Sequence, residues 1–136
     1  MKDKIFIDSN IFLYAFSDKD ISKQSISAKI VKEKYTISTQ VVNEVSNNMI
    51  KKLNFSNKEI EKFISSCYLQ YDIIDFSKMI FIKASQIRDK YNISYYDSLI
   101  LSSAINSKCD ILYSEDMQHN QKIDDLTIIN PFKILL

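Results

Sequence analysis

Four acidic residues, Asp8, Glu44, Asp97 and Asp116, lie far apart in this chain, each where a strand ends or a helix begins. Asp8 closes the apolar run Lys4-Ile5-Phe6-Ile7. Asp116 follows the run Asp110-Ile111-Leu112-Tyr113 by way of Ser114 and Glu115. Glu44 and Asp97 fall in the first turns of predicted helices. In a parallel α/β sheet the carboxyl ends of strands and the helix starts that follow share one edge, and sites form there. Four carboxylates brought to that edge repel one another unless a cation sits among them. Oxygen ligands suit a hard divalent ion, Mg²⁺ or Mn²⁺. The chemistry expected of such a set is metal-dependent phosphodiester hydrolysis.

Each acid also has a plainer role open to it. Asp8 or Ser9 could cap the helix that follows. Asn10 could orient Asp8, or be a cap itself. A lone Glu44 on a helix ordinarily faces water, and only its place on the shared edge singles it out. Asp97 completes Ser94-Tyr95-Tyr96-Asp97, a capping-box spacing, yet it precedes Leu101 and Ala104 by one and two turns and so leans toward the buried face. A buried carboxylate is costly unless paired or bound to metal. Glu115 competes with Asp116 for the fourth position. His119 is the only histidine, so a His-rich zinc site is excluded. It reads as a loop residue with substrate phosphate as a second possibility.

The elements that must position these side chains alternate. A strand is predicted over Lys4–Asp8, and a helix from about Asn10. A second helix covers Ile21–Lys34, then a strand covers Tyr35–Ser38. Thr39 can cap a helix whose buried stripe is Val41, Val42, Val45, Met49 and Leu53. Ser56-Asn57-Lys58-Glu59 is a capping box opening another. Strand Tyr71–Asp75 precedes a helix capped by Ser77, and Ser94 starts the next. Asp110–Tyr113 and Leu126–Ile129 are the last strands. The fold expected is α/β, with a central mostly parallel sheet covered on both faces.

The 136 residues suit one domain, residues 1–136. A net charge of +1 is not that of a protein that coats nucleic acid. Any such contact falls to local lysines, with Lys29, Lys32, Lys34, Lys51 and Lys52 as candidates or simply solvated faces. Cys67 and Cys109 have no metal or redox spacing and read as reduced small hydrophobes. The start Met1-Lys2-Asp3-Lys4 is no signal peptide, and no run approaches the ~20 apolar residues of a membrane span. A cytoplasmic location is expected. The apolar tail Pro131–Leu136 serves core packing or a partner contact. The chain has no glycine, where ordinary usage would give about nine. Left-handed positions are therefore expected at Asn and Asp, and a Gly-rich phosphate loop is excluded.

Taken together, Phe6-Ile7-Asp8-Ser9-Asn10-Ile11, Ser38-Thr39-Gln40-Val41-Val42-Asn43-Glu44, Ser94-Tyr95-Tyr96-Asp97-Ser98-Leu99-Ile100 and Ile111-Leu112-Tyr113-Ser114-Glu115-Asp116-Met117-Gln118-His119 resemble, in order and spacing, the PIN-domain nucleases, especially the VapC-type toxins of bacterial toxin–antitoxin pairs. Where many relatives have glycine after the final His, this chain has Asn120. The resemblance implies a three-layer α/β/α sandwich and a Mg²⁺- or Mn²⁺-dependent ribonuclease. It implies Asp8, Glu44, Asp97 and Asp116 as the acidic quartet, with Asp8, Asp97 and Asp116 as ligands, directly or through water, and Glu44 as a ligand or a positioner of the nucleophile. Asn10, Ser114 and Glu115 become supporting residues. It further implies a homodimer and a cognate antitoxin protein.

Three other readings stand beside it. A metal-dependent phosphatase or phosphotransferase using Asp8 as nucleophile would be expected to carry a second acid two residues on, where this chain has Asn10. A non-catalytic α/β module that only binds a divalent cation is another. The third, within the same family, is an RNA-processing nuclease without an antitoxin.

Overall fold

The computed structural model describes residues 2–135. Six strands form one sheet in the order β3-β2-β1-β4-β6-β5. They are β1 (Ile5–Ile7), β2 (Thr36–Ser38), β3 (Asp72–Ile74), β4 (Ile111–Tyr113), β5 (Lys122–Ile123) and β6 (Leu126–Ile129). All neighbours are parallel except β5 with β6. The helices α1 (Ser9–Ala15), α2 (Ile21–Val31), α3 (Thr39–Leu53), α4 (Asn57–Gln70), α5 (Lys78–Tyr91), α6 (Tyr95–Asn106) and α7 (Pro131–Leu135) flank it. This is the mostly parallel α/β architecture expected.

β1 is central because it is apolar on both faces: Phe6 and Ile7 are fully buried. Around it the main core gathers Ile11, Phe12, Ile37, Val41, Val45, Leu101, Leu112 and Ile128. A smaller cluster, Ile80, Ala84 and Leu99, joins α5 to α6. Burying each such side chain is worth about 1.5–3 kcal/mol.

Several boundaries differ from expectation by one or a few residues. Of the caps open to α1, Asp8 takes the position, its side chain accepting from Ser9 N, and the helix starts at Ser9 rather than about Asn10. The cap of α3 is Ser38, whose Oγ accepts from Val41 N, not Thr39. In both cases the last strand residue or its neighbour is still extended and so takes the cap position. α2 ends at Val31. The capping box of Ser56 and Glu59 is formed in full. β5 and α7 are additions. Pro131 takes the first helical position of α7, where its missing N–H costs nothing. Asn130 Oδ1 accepts from Phe132 N at 3.0 Å. Phe132 is buried, while Ile134 is exposed; Leu136, the end of the apolar tail, lies outside the described residues.

Five non-glycine residues have positive φ: Asn54, Asn92, Lys108, Asn120 and Asp124. Four are the Asn or Asp that a glycine-free chain must use, among them Asn120 at φ 69° in the loop after His119. Lys108 departs from the expectation. Cys67 and Cys109 are free and buried, and burial pushes the Cys67 thiol up to about 12. Among the described residues no helix is long and apolar enough to cross a membrane.

Candidate active site

Strand register brings the chemistry together. Ile7 pairs with Tyr113 in the parallel ladder of β1 and β4, so Asp8 and Ser114, one residue beyond, lie side by side. Asp8 N donates to the Tyr113 carbonyl at 3.0 Å, and Ser114 N to the Ile129 carbonyl at 3.0 Å. Asp8 is only 6% exposed. Its Oδ1 accepts from Ser9 N at 2.7 Å, and its Oδ2 from Ser114 Oγ at 2.9 Å. It is therefore both helix cap and site carboxylate.

Ser9 bridges outward: its hydroxyl lies 2.9 Å from Glu44 Oε2. Gln40, one turn before Glu44 on α3, donates Nε2 to Glu44 Oε1 at 2.6 Å and to the Tyr96 carbonyl at 3.4 Å. Its own Oε1 is buried without a partner. Asn10 donates its amide to Asp116 Oδ2.

Asp97 sits in the first turn of α6. Its N–H donates to Ser94 Oγ at 3.3 Å. Whereas α4 makes both bonds of its capping box, at α6 only this half is made, so the Asp97 carboxylate is left for the site. Burial raises its pKa; the Ser94 hydroxyl opposes this, and Asp116 and Glu44 add to it. Asp8 is pushed up to about 6, chiefly by burial, against the bonds from Ser114 and Ser9, with further upward pressure from Asp97 and Glu44. These mutual effects place the four acids within one electrostatic neighbourhood.

Glu115 is elsewhere. It pairs with Lys23, whose ammonium lies over the rings of Tyr14 and Phe132, and accepts from the Tyr14 hydroxyl. Asp116, not Glu115, faces Asn10 and Asp97. His119 Nδ1 accepts from Asn130 N at 2.9 Å, which ties its loop to the start of α7. Of the candidate lysines, Lys52 lines a groove with Lys19 beside Asn10. Lys34 lies at the opposite, amino edge of the sheet, with Lys4 and Tyr35.

The donor set fits a hard cation in kind. It is all carboxylate, backed by neutral hydroxyls and amides. The ion pairs among the described residues are Lys23–Glu115 and Lys83–Asp124, so no lysine or arginine neutralises any of the four. Among the described residues, though, no three His, Cys, Asp or Glu side chains converge tightly enough to hold an ion directly. A Mg²⁺-like ion, which keeps several waters and takes one or two carboxylates, suits that spacing.

Two residues of this site were not read as site residues from the sequence: Ser9, weighed only as a helix cap, and Gln40. The signals were present: Ser9 adjoins Asp8, and Gln40 is four residues before Glu44, hence on the same helix face.

A mostly parallel sheet that gathers four unpaired carboxylates at its carboxyl edge defines an acidic α/β site protein. The chain belongs to the PIN domain family, whose sequence profile matches residues 5–123. Solved structures share the fold. A toxin–antitoxin complex from Klebsiella pneumoniae superposes with a TM-score of 0.71 at 18% identity, covering 94% of this chain and 98% of that one. Mycobacterium tuberculosis VapC20, a toxin that cleaves the sarcin–ricin loop, gives 0.68 at 11% identity, covering 83% and 90%. VapBC2 from Rickettsia felis, bound to a DNA fragment from its promoter, gives 0.65 at 21%, covering 91% and 96%. No curated protein matches the chain by sequence.

Proposed function

We propose that this single PIN domain is a divalent-metal-dependent endoribonuclease acting as the toxin of a toxin–antitoxin pair. The observation that carries the reading is the unneutralised quartet: Asp97 and Glu44 push up the pKa of Asp8, Asp116 and Glu44 push up that of Asp97, Ser9 bridges Asp8 and Glu44, and among the described residues no side-chain cation pairs with any of them. Family membership supports nuclease chemistry, and the toxin complexes among its fold neighbours support the toxin role.

Asp8, Asp97 and Asp116 are the residues that would hold Mg²⁺ or Mn²⁺, one or two of them directly and the others through water. When bound, the ion supplies a Lewis acid for a phosphate oxygen and lowers the pKa of water. Ser114 and Ser9 fix both oxygens of Asp8, and Asn10 fixes Asp116. Gln40 and Ser9 hold Glu44 from two sides, which orients it to position a water or accept its proton. Single-stranded or looped RNA is the substrate class, since an unstacked strand can present a phosphate to such a recess. The antitoxin partner, a homodimer and cytoplasmic action belong to the same reading.

The test is incubation with structured RNAs and matched DNA, with Mg²⁺, Mn²⁺ or EDTA. Metal-dependent RNA fragments are expected, and cutting of DNA alone would overturn the substrate class. Expression of the chain alone should arrest growth, and co-expression with the protein of the adjoining reading frame should relieve it. Normal growth at high soluble expression would overturn the toxin role.

A further inference from the structure

Beside the acid site, a cleft of about 490 Å³ opens between α3 and the start of α6, lined by Asn43, Glu44, Asn47, Asn48 and Tyr96. Apart from Glu44, which it shares with the acid site, its lining is neutral: three amides and an aromatic ring. Tyr96 is 66% exposed, a large aromatic face left in water. Its ring meets that of Tyr95 edge to face at 5.4 Å, and Arg88 stacks over Tyr95 at 4.7 Å while donating to Ser98. The aromatic pair is thus braced. Asn43 and Asn47 are exposed on one face of α3, a turn apart. The Asn48 amide is engaged with the Glu44 carbonyl at 2.9 Å. Gln40, bonded to both Glu44 and the Tyr96 carbonyl, joins this cleft to the acid site.

No lysine or arginine lines the cleft, so a phosphate has no partner there. A braced aromatic face beside neutral amides suits a nucleobase, which stacks through its π-face and offers a donor and an acceptor on its edge. We propose that this cleft takes the base next to the scissile phosphate, stacked on Tyr96 and hydrogen-bonded by Asn43 and Asn47, and that it sets the sequence preference of cutting. The inference rests on the nuclease reading and adds to it a substrate subsite.

Two measurements test it. One is binding of fluorescent single-stranded oligoribonucleotides in EDTA; the other is sequencing of the ends produced from a random RNA pool with Mn²⁺. Tyr96→Ala should weaken binding on the order of tenfold, the range measured for loss of one stacked base. Tyr96→Phe, which keeps the face, should regain most of it. Asn43→Ala with Asn47→Ala should flatten the base preference at one position beside the cut. All three positions are exposed, and melting curves verify that the variants fold. If the wild type cuts RNA while the double variant keeps its preference and Tyr96→Ala binds normally, the subsite is wrong and the nuclease stands. If the wild type binds without cutting and Tyr96→Ala weakens that binding, the subsite stands and the nuclease falls. Neither binding nor cutting overturns both. A fall in sedimentation coefficient for Tyr96→Ala would make the cleft a subunit interface and overturn the subsite.

Discussion

Ser114 donates its hydroxyl to Asp8 Oδ2 at 2.9 Å across 106 residues of chain, with both side chains buried. That bond is the strongest opposition to the burial that raises Asp8. Ser114→Ala therefore leaves a buried carboxylate with one partner fewer. A further rise in the Asp8 pKa is expected, with a loss of about 1–3 kcal/mol of stability at neutral pH. The rise of cleavage rate with pH should move to higher pH. An unchanged pH–rate profile would count against Asp8 as the titrating group.

Asp8 itself makes apo stability pH-dependent. Its folded pKa, about 6, exceeds the ordinary 3.8, so the folded state favours the protonated form. The contribution is complete below about pH 4 and is lost as pH rises through about 6. The gap corresponds to about 3 kcal/mol. Asp8→Asn removes the charge and keeps a capping side chain. In EDTA its melting temperature should exceed that of the wild type at pH 7.5 and match it near pH 4. An equal offset at both pH values would refute the linkage. Its cleavage should be lost.

Asp97→Asn separates capping from catalysis. The cap bond at α6 uses the Asp97 backbone, not its carboxylate, so apo stability should hold or rise as repulsion with Asp116 and Glu44 is relieved. Cleavage should fall by orders of magnitude, and the melting shift produced by millimolar Mn²⁺ should shrink. Near-wild-type cleavage with a lower apo melting temperature would remove Asp97 from the ligand set.

The adjacent acids Glu115 and Asp116 should behave oppositely. Glu115→Gln breaks a partly exposed pair with Lys23, which costs about 1 kcal/mol or less, and cleavage should survive. Asp116→Asn should abolish cleavage with little effect on the fold. RNA digestion and thermal melts on the two variants decide the matter.

The alternation of strands and helices was readable because the apolar runs Ile5–Ile7, Ile111–Tyr113 and Leu126–Ile129 match their strands, and because Ser56, Ser77 and Ser94 cap as their spacing demands. β5 was not: Lys122-Ile123 is two residues long and exists only by pairing with β6. α7 is five residues anchored by Phe132, too short for periodicity to register. At the site, the edge on which Asp8, Glu44, Asp97 and Asp116 meet follows from element order. The choice between Glu115 and Asp116 does not, because it is made by tertiary partners, Lys23 and Tyr14 for one and Asn10 for the other.

The central strand β1 is the first of the six along the sequence, yet one of its two neighbours, β4, lies more than a hundred residues downstream. Asp8 gains the Tyr113 carbonyl and the Ser114 hydroxyl only when that neighbour docks. A nascent chain thus cannot assemble the acid cluster until β4 has also emerged and docked. On the proposed nuclease reading, a chain still being made would therefore lack its site until that late docking step.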